Sequence, residues 1–441
     1  MHKDSIRCIT IVHPPNEIKE YRLLSAFFRL IGIWVCENVE EEYGDQTDFT
    51  VRIRYEDDFV SEWQRISCGT GGELKECSPE PEVGYTEEHW LSEVLRQMGY
   101  CFEKSTYQEI KKIAICYFTN DLMRGSYAVG YFGDADDPRI FAYMGKSKQR
   151  FYKAYQELVE LEKADPSKYL LAAICNCQRR INELYTVIWK AVKNGKIKDD
   201  EGIFRDILRE HPFIPYDEIN RRLSKILEMD PKNYAAYAIR GFVKQLDDDR
   251  ILEFVYDFEN AVALCGRRSY ASCLLYHIGK YFETVRIDKA FEEKYYNYAY
   301  EVNKYNYRAA YKVAMCHRRQ GEHDKAMKIL EWILNILSKK TVLEMLQPVE
   351  CAYQYKTNSE IGKMYIRKEK YRESIRYFEQ AKACGSSDKN MLFYNWMFGE
   401  EDGAVFKKAA VKKLNIYNCQ MDLADAYAML DSYEGILRAY S

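Results

Sequence analysis

A small residue recurs at one fixed place in a helical pattern along this chain, at Gly241, Gly279, Ala314, Gly362 and Ala424. The stretch "YRAAYKVAMCHRRQGEHDKAMKIL" shows the arrangement. Ala314 lies inside one periodic helix, Gly321 follows in a turn, and Ala326 opens a second helix with Leu330 and Ile333 on one face. The stretch "NSEIGKMYIRKEKYRESIRYFEQA" repeats it, with Gly362, Ser374, Phe378 and Ala381 in the slots of Ala314, Ala326, Leu330 and Ile333. Two helices joined by a short turn cross within about 8–10 Å, and a large side chain at the crossing would hold them apart. A pair of this kind cannot bury its apolar face alone, so successive pairs must stack.

The joins between pairs carry a second signature. In "EMDPKNYAAYAIRGF", Pro231 closes one unit, Asn233 and Tyr234 open the next, and Tyr237 precedes the small slot Gly241. In "KADPSKYLLAAICNC", Pro166 plays the same part after Ala154, Leu158 and Leu161, and the small slot falls at Asn176. In "DLADAYAMLDSYEGI", Ala424, Tyr427, Tyr433 and Ile436 complete the pattern. These residues resemble the tetratricopeptide-repeat (TPR) family, whose signature is Trp-x2-Leu-Gly-x2-Tyr, then Ala-x3-Phe, then Pro, at a period of about 34 residues. The resemblance covers roughly residues 135–441 and implies an α-solenoid of helix pairs. Spacing departs from the family: Ala314 and Gly362 lie 48 residues apart, so "LNILSKKTVLEMLQPVE" must lengthen a helix or add a loop. "VKNGKIKDDEGIF" lengthens another connection.

The repeat fails before about Ser105, and the first hundred residues read differently. "IRCITIVH", "IWVCENV" and "DFTVRIRY" are β-rich, and "NEIKEYRLLSAFFRLIG" between the first two has helical spacing, with Asn16 as cap and Gly32 as stop. Strand, helix, strand in this span predicts a small α/β domain with parallel strands. A Gly/Pro-rich loop and a helix capped by Thr86 follow. The expected fold is therefore mainly α, an α-solenoid of TPR-like helix pairs over 105–441 preceded by a small α/β domain over 1–104.

Three features bear on chemistry in that domain. Gly69-Thr70-Gly71-Gly72 lacks the Lys-Ser/Thr of a phosphate-binding P-loop, and no helix follows at once. "DDFVSEWQRI" resembles the Ser-x-Trp-Cys-x-x-Glu neighbourhood of Toll/interleukin receptor (TIR) domains, whose helix after that strand carries a Glu that acts on NAD. Ser61 and Trp63 match, but Ser67 stands in the Glu slot, so the resemblance implies a non-catalytic relative. The carboxylates of "ENVEEEYGDQTD" and "YEDD" read as a solvated face. No Ser-His-Asp or Cys-His constellation is apparent, so no catalytic residue and no cofactor are assigned.

Cys316, His317 and His323 sit within eight positions, but in the next unit Tyr365 takes the slot of His317, Tyr371 that of His323, and the Cys is not retained, so the pattern keeps aromatics rather than ligands. They read as packing positions, and a zinc site would need a further pair nearby. The 14 cysteines are scattered without CxxC, as in a reduced, cytoplasmic protein. The longest apolar run, around Leu30–Cys36, is too short to span a bilayer.

Net charge is −3, which disfavours a general nucleic-acid binder. Residues 1–90 hold nineteen acidic and nine basic residues, a net of −10, which leaves +7 for residues 91–441. In TPR-like pairs the first helix lines the concave face, and residues offset by one from the small slot form its exposed stripe. Those are Cys273, Tyr276, Lys280 and Glu283; then Arg308, Tyr311, Met315 and Arg318; then Lys356, Ser359, Lys363 and Ile366. Upstream, Leu170, Ala173, Cys177 and Arg180, and Ala235, Ala238, Phe242 and Gln245, hold the same positions. The candidate partner-binding set is Arg308, Tyr311, Met315, Arg318, Lys356, Lys363, Tyr276 and Lys280. The reading is a non-catalytic scaffold that recognises a protein or peptide with an acidic segment. Two other classes stay open: a prokaryotic defence or signalling effector whose N-terminal domain handles a nucleotide or NAD, and a peptide-responsive regulator.

Overall fold

The computed structural model describes residues 6–13, 28, 30, 33–39, 48–55, 64–68, 74–76, 138–245, 252–338, 348–386 and 416–440, apart from isolated positions. The chain forms two compact units, Met1–Asp121 with Phe141–Cys265, and Leu122–Ile140 with Gly266–Ser441.

The first unit holds a five-stranded sheet of β1 (Ile6–His13), β2 (Trp34–Val39), β3 (Asp48–Tyr55), β4 (Gln64–Cys68) and β5 (Leu74–Glu76), in the order β2-β1-β3-β4-β5. β1 and β2 run parallel, with Cys8 opposite Trp34, as the strand-helix-strand pattern predicts. Phe28 and Leu30 lie in helix between them and are buried, with Ile9, Ile33 and Val35. The remaining pairings are antiparallel, so the sheet is mixed. β4 corrects the TIR comparison. Ser67, in the slot where that family carries its Glu, sits on a strand between Asp48 of β3 and Lys75 of β5, not on a helix. β5 begins at Leu74, so the segment shortly after Gly69–Gly72 is strand. Asn16, Gly32, the glycines themselves, and the helix expected after Thr86 lie outside the described residues.

Among the described residues the first unit also holds α1 (Pro138–Ala164, its first three residues in the second unit), α2 (Lys168–Lys193), α3 (Ile203–Glu210), α4 (Tyr216–Met229), α5 (Tyr234–Lys244) and α6 (Glu253–Cys265). Pro166 separates α1 from α2, and Ser167 caps α2 by accepting from the Tyr169 backbone N–H at 3.2 Å. The lengthened connection after α2 contains the extra helix α3. Every residue of α2 from Lys168 to Asn182 is buried, because α3, α4 and α5 all pack on it. Leu170, Ala173, Cys177 and Arg180 are therefore core rather than an exposed stripe, which corrects the sequence reading at this unit. Asn176, in the small slot, donates from Nδ2 to the Leu30 carbonyl at 2.9 Å, so it serves as a polar tie rather than a close-approach point.

The second unit holds α7 (Arg268–Thr284), α8 (Lys289–Val302), α9 (Tyr307–Arg319), α10 (His323–Ser338), α11 (Pro348–Arg367), α12 (Tyr371–Ser386), α13 (Ile416–Ala428) and α14 (Tyr433–Tyr440). They pack as consecutive pairs, and each pair packs on the next. The long spacing before Gly362 is absorbed partly by helix: α11 begins at Pro348, two turns earlier relative to its small slot than α9 does. Asn306 caps α9 and Asp288 caps α8, each accepting backbone N–H groups of the first turn.

The small slots work by close approach. A Cβ on Gly241 would lie 2.4 Å from Phe258, one on Gly279 2.8 Å from Tyr296, and one on Gly362 2.7 Å from Phe378. In each case the second helix of the pair supplies an aromatic ring that is wholly buried. Where the small slot is Ala314, the equivalent partner position holds Leu330, also fully buried. The last pair inverts the device: Gly435 is on the second helix, and a Cβ there would lie 2.2 Å from Tyr427 of the first. Recurrent pairs with this register make the array TPR-like. Among the described residues no helix is long and apolar enough to cross a membrane.

Candidate functional site

The first helices α7, α9, α11 and α13 of the second unit pack side by side, so they share one surface. Near its middle, a carboxylate is ringed by cations and phenols. Glu283 on α7 accepts from Lys280 Nζ at 2.9 Å, from Lys312 Nζ of α9 at 2.5 Å, and from the Tyr296 hydroxyl of α8 at 2.5 Å. Burial alone would raise the pKa of Glu283, but Lys312, Tyr296 and Lys280 outweigh it and hold the group at about 2. Tyr296 is fully buried, and its phenol is pushed upward by burial, then by Tyr276 and Glu283.

Beside this knot lies a tyrosine floor. The hydroxyls of Tyr276 and Tyr353 share a hydrogen bond of 3.0 Å. The rings of Tyr307 and Tyr311 meet Tyr353 edge-on, with centroids at 5.3 and 5.5 Å. Lys356 stands over Tyr353, its Nζ 5.4 Å from the ring centre. Its side chain keeps an exposed surface, yet protein atoms crowd its ammonium. That loss of water, followed by repulsion from Lys312 and Lys280, lowers its pKa to about 8. No carboxylate of the described residues stands within ion-pair distance of Lys356. Three lysines from three successive first helices thus surround one carboxylate.

The other predicted positions fall into two groups. Tyr276 is buried, and Tyr311 and Met315 are half-buried and packed against the core of the neighbouring pairs. Arg308 is also half-buried. Arg318 is ion-paired to Glu360 of α11, and Lys363 to Asp422 of α13 at 3.5 Å. Arg318 and Lys363 are thus bridges between neighbouring first helices, whereas Lys356 has no ion pair among the described residues. Lys312 escaped the sequence reading. Positions 308, 311, 312 and 315 all satisfy helical spacing, and that spacing alone does not choose between Tyr311 and Lys312.

The Cys316, His317 and His323 side chains do not converge. His317 Nδ1 meets Glu322 at 2.6 Å, Cys316 lies beside Arg319 at 3.1 Å, and His323 is exposed at the start of α10. His323 is thus not in a packing slot, which departs from the expectation for it. Tyr365, opposite His317 in the repeat pattern, does pack, stacked on Tyr377 at 5.5 Å. Among the described residues no group of three His, Cys, Asp or Glu side chains is placed to share a metal ion.

The first unit has its own polar knot, around Glu218 of α4. It accepts from Tyr155 at 3.2 Å, Gln178 at 3.1 Å and Arg222 at 2.7 Å. Nearby Cys175 is buried, and burial pushes its thiol up to about 12, so it is no nucleophile at neutral pH. Asp257 on α6 is wholly buried between Arg240 at 2.6 Å and Lys244 at 2.9 Å. These networks tie helices together.

No protein-family model matches this chain, and no curated protein does so either. Solved structures bear a likeness to it, among them the following three, each at 14% identity. PilW, described as a widely conserved type IV pilus biogenesis factor, has a TM-score of 0.27 and covers 59% of this chain and 99% of its own. The APC/C hetero-tetramer Cut9-Hcn1 gives 0.29, with 80% and 66% covered. The human IFIT1 dimer with PPP-AAAA gives 0.20, with 74% and 93% covered. Likeness at this level adds nothing to the helix-pair geometry described above.

Proposed function

We propose that this chain is a non-catalytic recognition protein whose second unit holds an acidic peptide segment of a protein partner against the first helices α7, α9 and α11. The observation that carries this reading is Lys356: exposed, set over an aromatic ring, repelled by Lys312 and Lys280, and without an ion-paired carboxylate among the described residues. A partner carboxylate at that point relieves the repulsion and meets an aromatic floor, the combination in which binding energy concentrates. Isolated exposed ion pairs contribute little, about 0–1 kcal/mol each, so the crowded lysine counts for more than the paired Arg318 and Lys363. A reducing, cytoplasmic setting fits the seven described free cysteines, of which six are buried.

The test is a peptide-display selection on the immobilised full chain. Sequences rich in Asp and Glu should be enriched, and Lys356→Glu or high salt should remove the enrichment. Lys356→Glu removes the repulsion from Lys312 and Lys280, so the variant should melt no lower than the parent. Selection of peptides without acidic bias, or enrichment indifferent to Lys356→Glu, would sink the reading.

A further inference from the structure

Counted from the small slots, three successive first helices cover positions that α13 leaves open. Three residues before the slot, Tyr276 is 5% exposed, Tyr311 is half-buried against Tyr353 of α11, and Ser359 is 6% exposed. The equivalent residue of α13 is Met421, at 57%. One and four residues after the slot, Lys280 and Glu283, Met315 and Arg318, and Lys363 and Ile366 are all half-buried, whereas Asp425 and Ala428 are exposed. The paired helix α14 differs in the same sense. Leu437 is 57% exposed where Met327 and Ile375 are buried, and Tyr440 is 59% exposed where Tyr296, Leu330 and Phe378 are wholly buried. Apolar positions in this register are the ones that a further stacked helix covers in a solenoid.

Charge adds a second constraint. Ion pairs join successive first helices in one register: a residue one or four places after a slot meets the residue two places before the next slot. Glu283 meets Lys312 at 2.5 Å, Arg318 meets Glu360, and Lys363 meets Asp422 at 3.5 Å. On α13 the corresponding outgoing residue is Asp425, which is exposed and has no ion pair among the described residues. We propose that α13 and α14 seat one amphipathic helix of a partner protein, with apolar side chains over Met421 and Leu437 and a Lys or Arg against Asp425. This surface is not the groove of the proposed function, and it calls for the opposite ligand charge. Two-fold pairing of α13 with a second copy of itself would set Asp425 against Asp425, so a foreign helix with a basic edge fits where a second copy does not.

The experiment uses the full chain and three sets of helix-forming peptides, each with one apolar face and one fixed residue at its edge: lysine, glutamine or glutamate. Fluorescence polarisation is read on the parent and, in parallel, on Lys356→Glu, which keeps the groove out of the measurement. The lysine set should bind about tenfold tighter than the glutamate set to both chains. Asp425→Lys should reverse that order, and Met421→Asp should abolish binding, with far-UV dichroism and melting temperature unchanged because both side chains are exposed. An order of preference that survives Asp425→Lys, or binding that survives Met421→Asp, overturns the inference. So does a preference that disappears in Lys356→Glu, since the peptides then sit in the groove. A chain that sediments as a dimer, and as a monomer after Met421→Asp, assigns the face to a second copy and overturns the foreign helix. Binding by none of the three sets overturns the inference and leaves the groove reading standing.

Discussion

Replacing Gly362 by Ala, and then shrinking its partner, tests the device on which the repeats depend. A Cβ at position 362 falls 2.7 Å from Phe378 Cε1 and 2.9 Å from Cδ1 and Cζ, where ordinary contact begins at 3.4 Å. The ring must retreat by about 0.7 Å, but it is wholly buried and packed among Tyr355, Ile375, Ala381 and Leu423. Overpacking of this kind costs roughly 1–3 kcal/mol. The better helix propensity of Ala returns about 1 kcal/mol. Gly362→Ala alone should therefore cost about 0–2 kcal/mol. Phe378→Leu alone should leave a cavity and cost roughly 1–3 kcal/mol. The pair Gly362→Ala with Phe378→Leu recreates the combination that Ala314 and Leu330 show in the preceding repeat, so the double variant should cost less than the sum of the two, by about 1–2 kcal/mol. Urea denaturation followed by circular dichroism, with slopes compared across the four proteins, measures this coupling. Additivity within about 0.5 kcal/mol would refute close approach as the reason for the glycine.

Asp257→Ala should cost about 3–5 kcal/mol in thermal or urea unfolding, because it strands Arg240 and Lys244 without their buried partner. Glu283 has its pKa depressed from 4.5 to about 2, so its stabilising effect is present above pH 4.5 and lost as pH falls towards 2. Glu283→Gln should flatten acid unfolding in that window and cost on the order of 2 kcal/mol at neutral pH. Lys356 has the opposite sign. Its folded pKa is lowered from 10.5 to about 8, so the unfolded chain holds the proton more tightly between those values and stability rises with pH across them. Ligand affinity should fall over the same interval as the ammonium discharges, and Lys356→Met should abolish both trends; titrating binding and melting temperature from pH 7 to pH 10 checks this.

The repeat register was legible because close helix approach leaves room for little except glycine or alanine, and Gly241, Gly279, Ala314 and Gly362 all occupy their slots as read. The β1–helix–β2 unit was legible for a similar reason, since its residue types switch period within a short span. What escaped were relations between distant positions. Nothing local marks Arg318 as the partner of Glu360, 42 positions on, or separates it from Lys356, which has no ion pair among the described residues. The polar run Gln178-Arg179-Arg180 looks like a solvated face, but it is buried, with Arg179 and Arg180 paired to Glu183 and Gln178 donating to Glu218 inside the first unit. β4 was hidden by its length of five residues.

The lysine cluster also bears on how a ligand would be detected. An empty cluster of like charges weakens the unit that contains it, and an anion that seats there binds only the folded chain. Occupancy therefore shifts the folding equilibrium by mass action, about 2.7 kcal/mol at a ligand concentration a hundred times its dissociation constant. Melting temperature thereby becomes a readout of groove occupancy that needs no labelled partner.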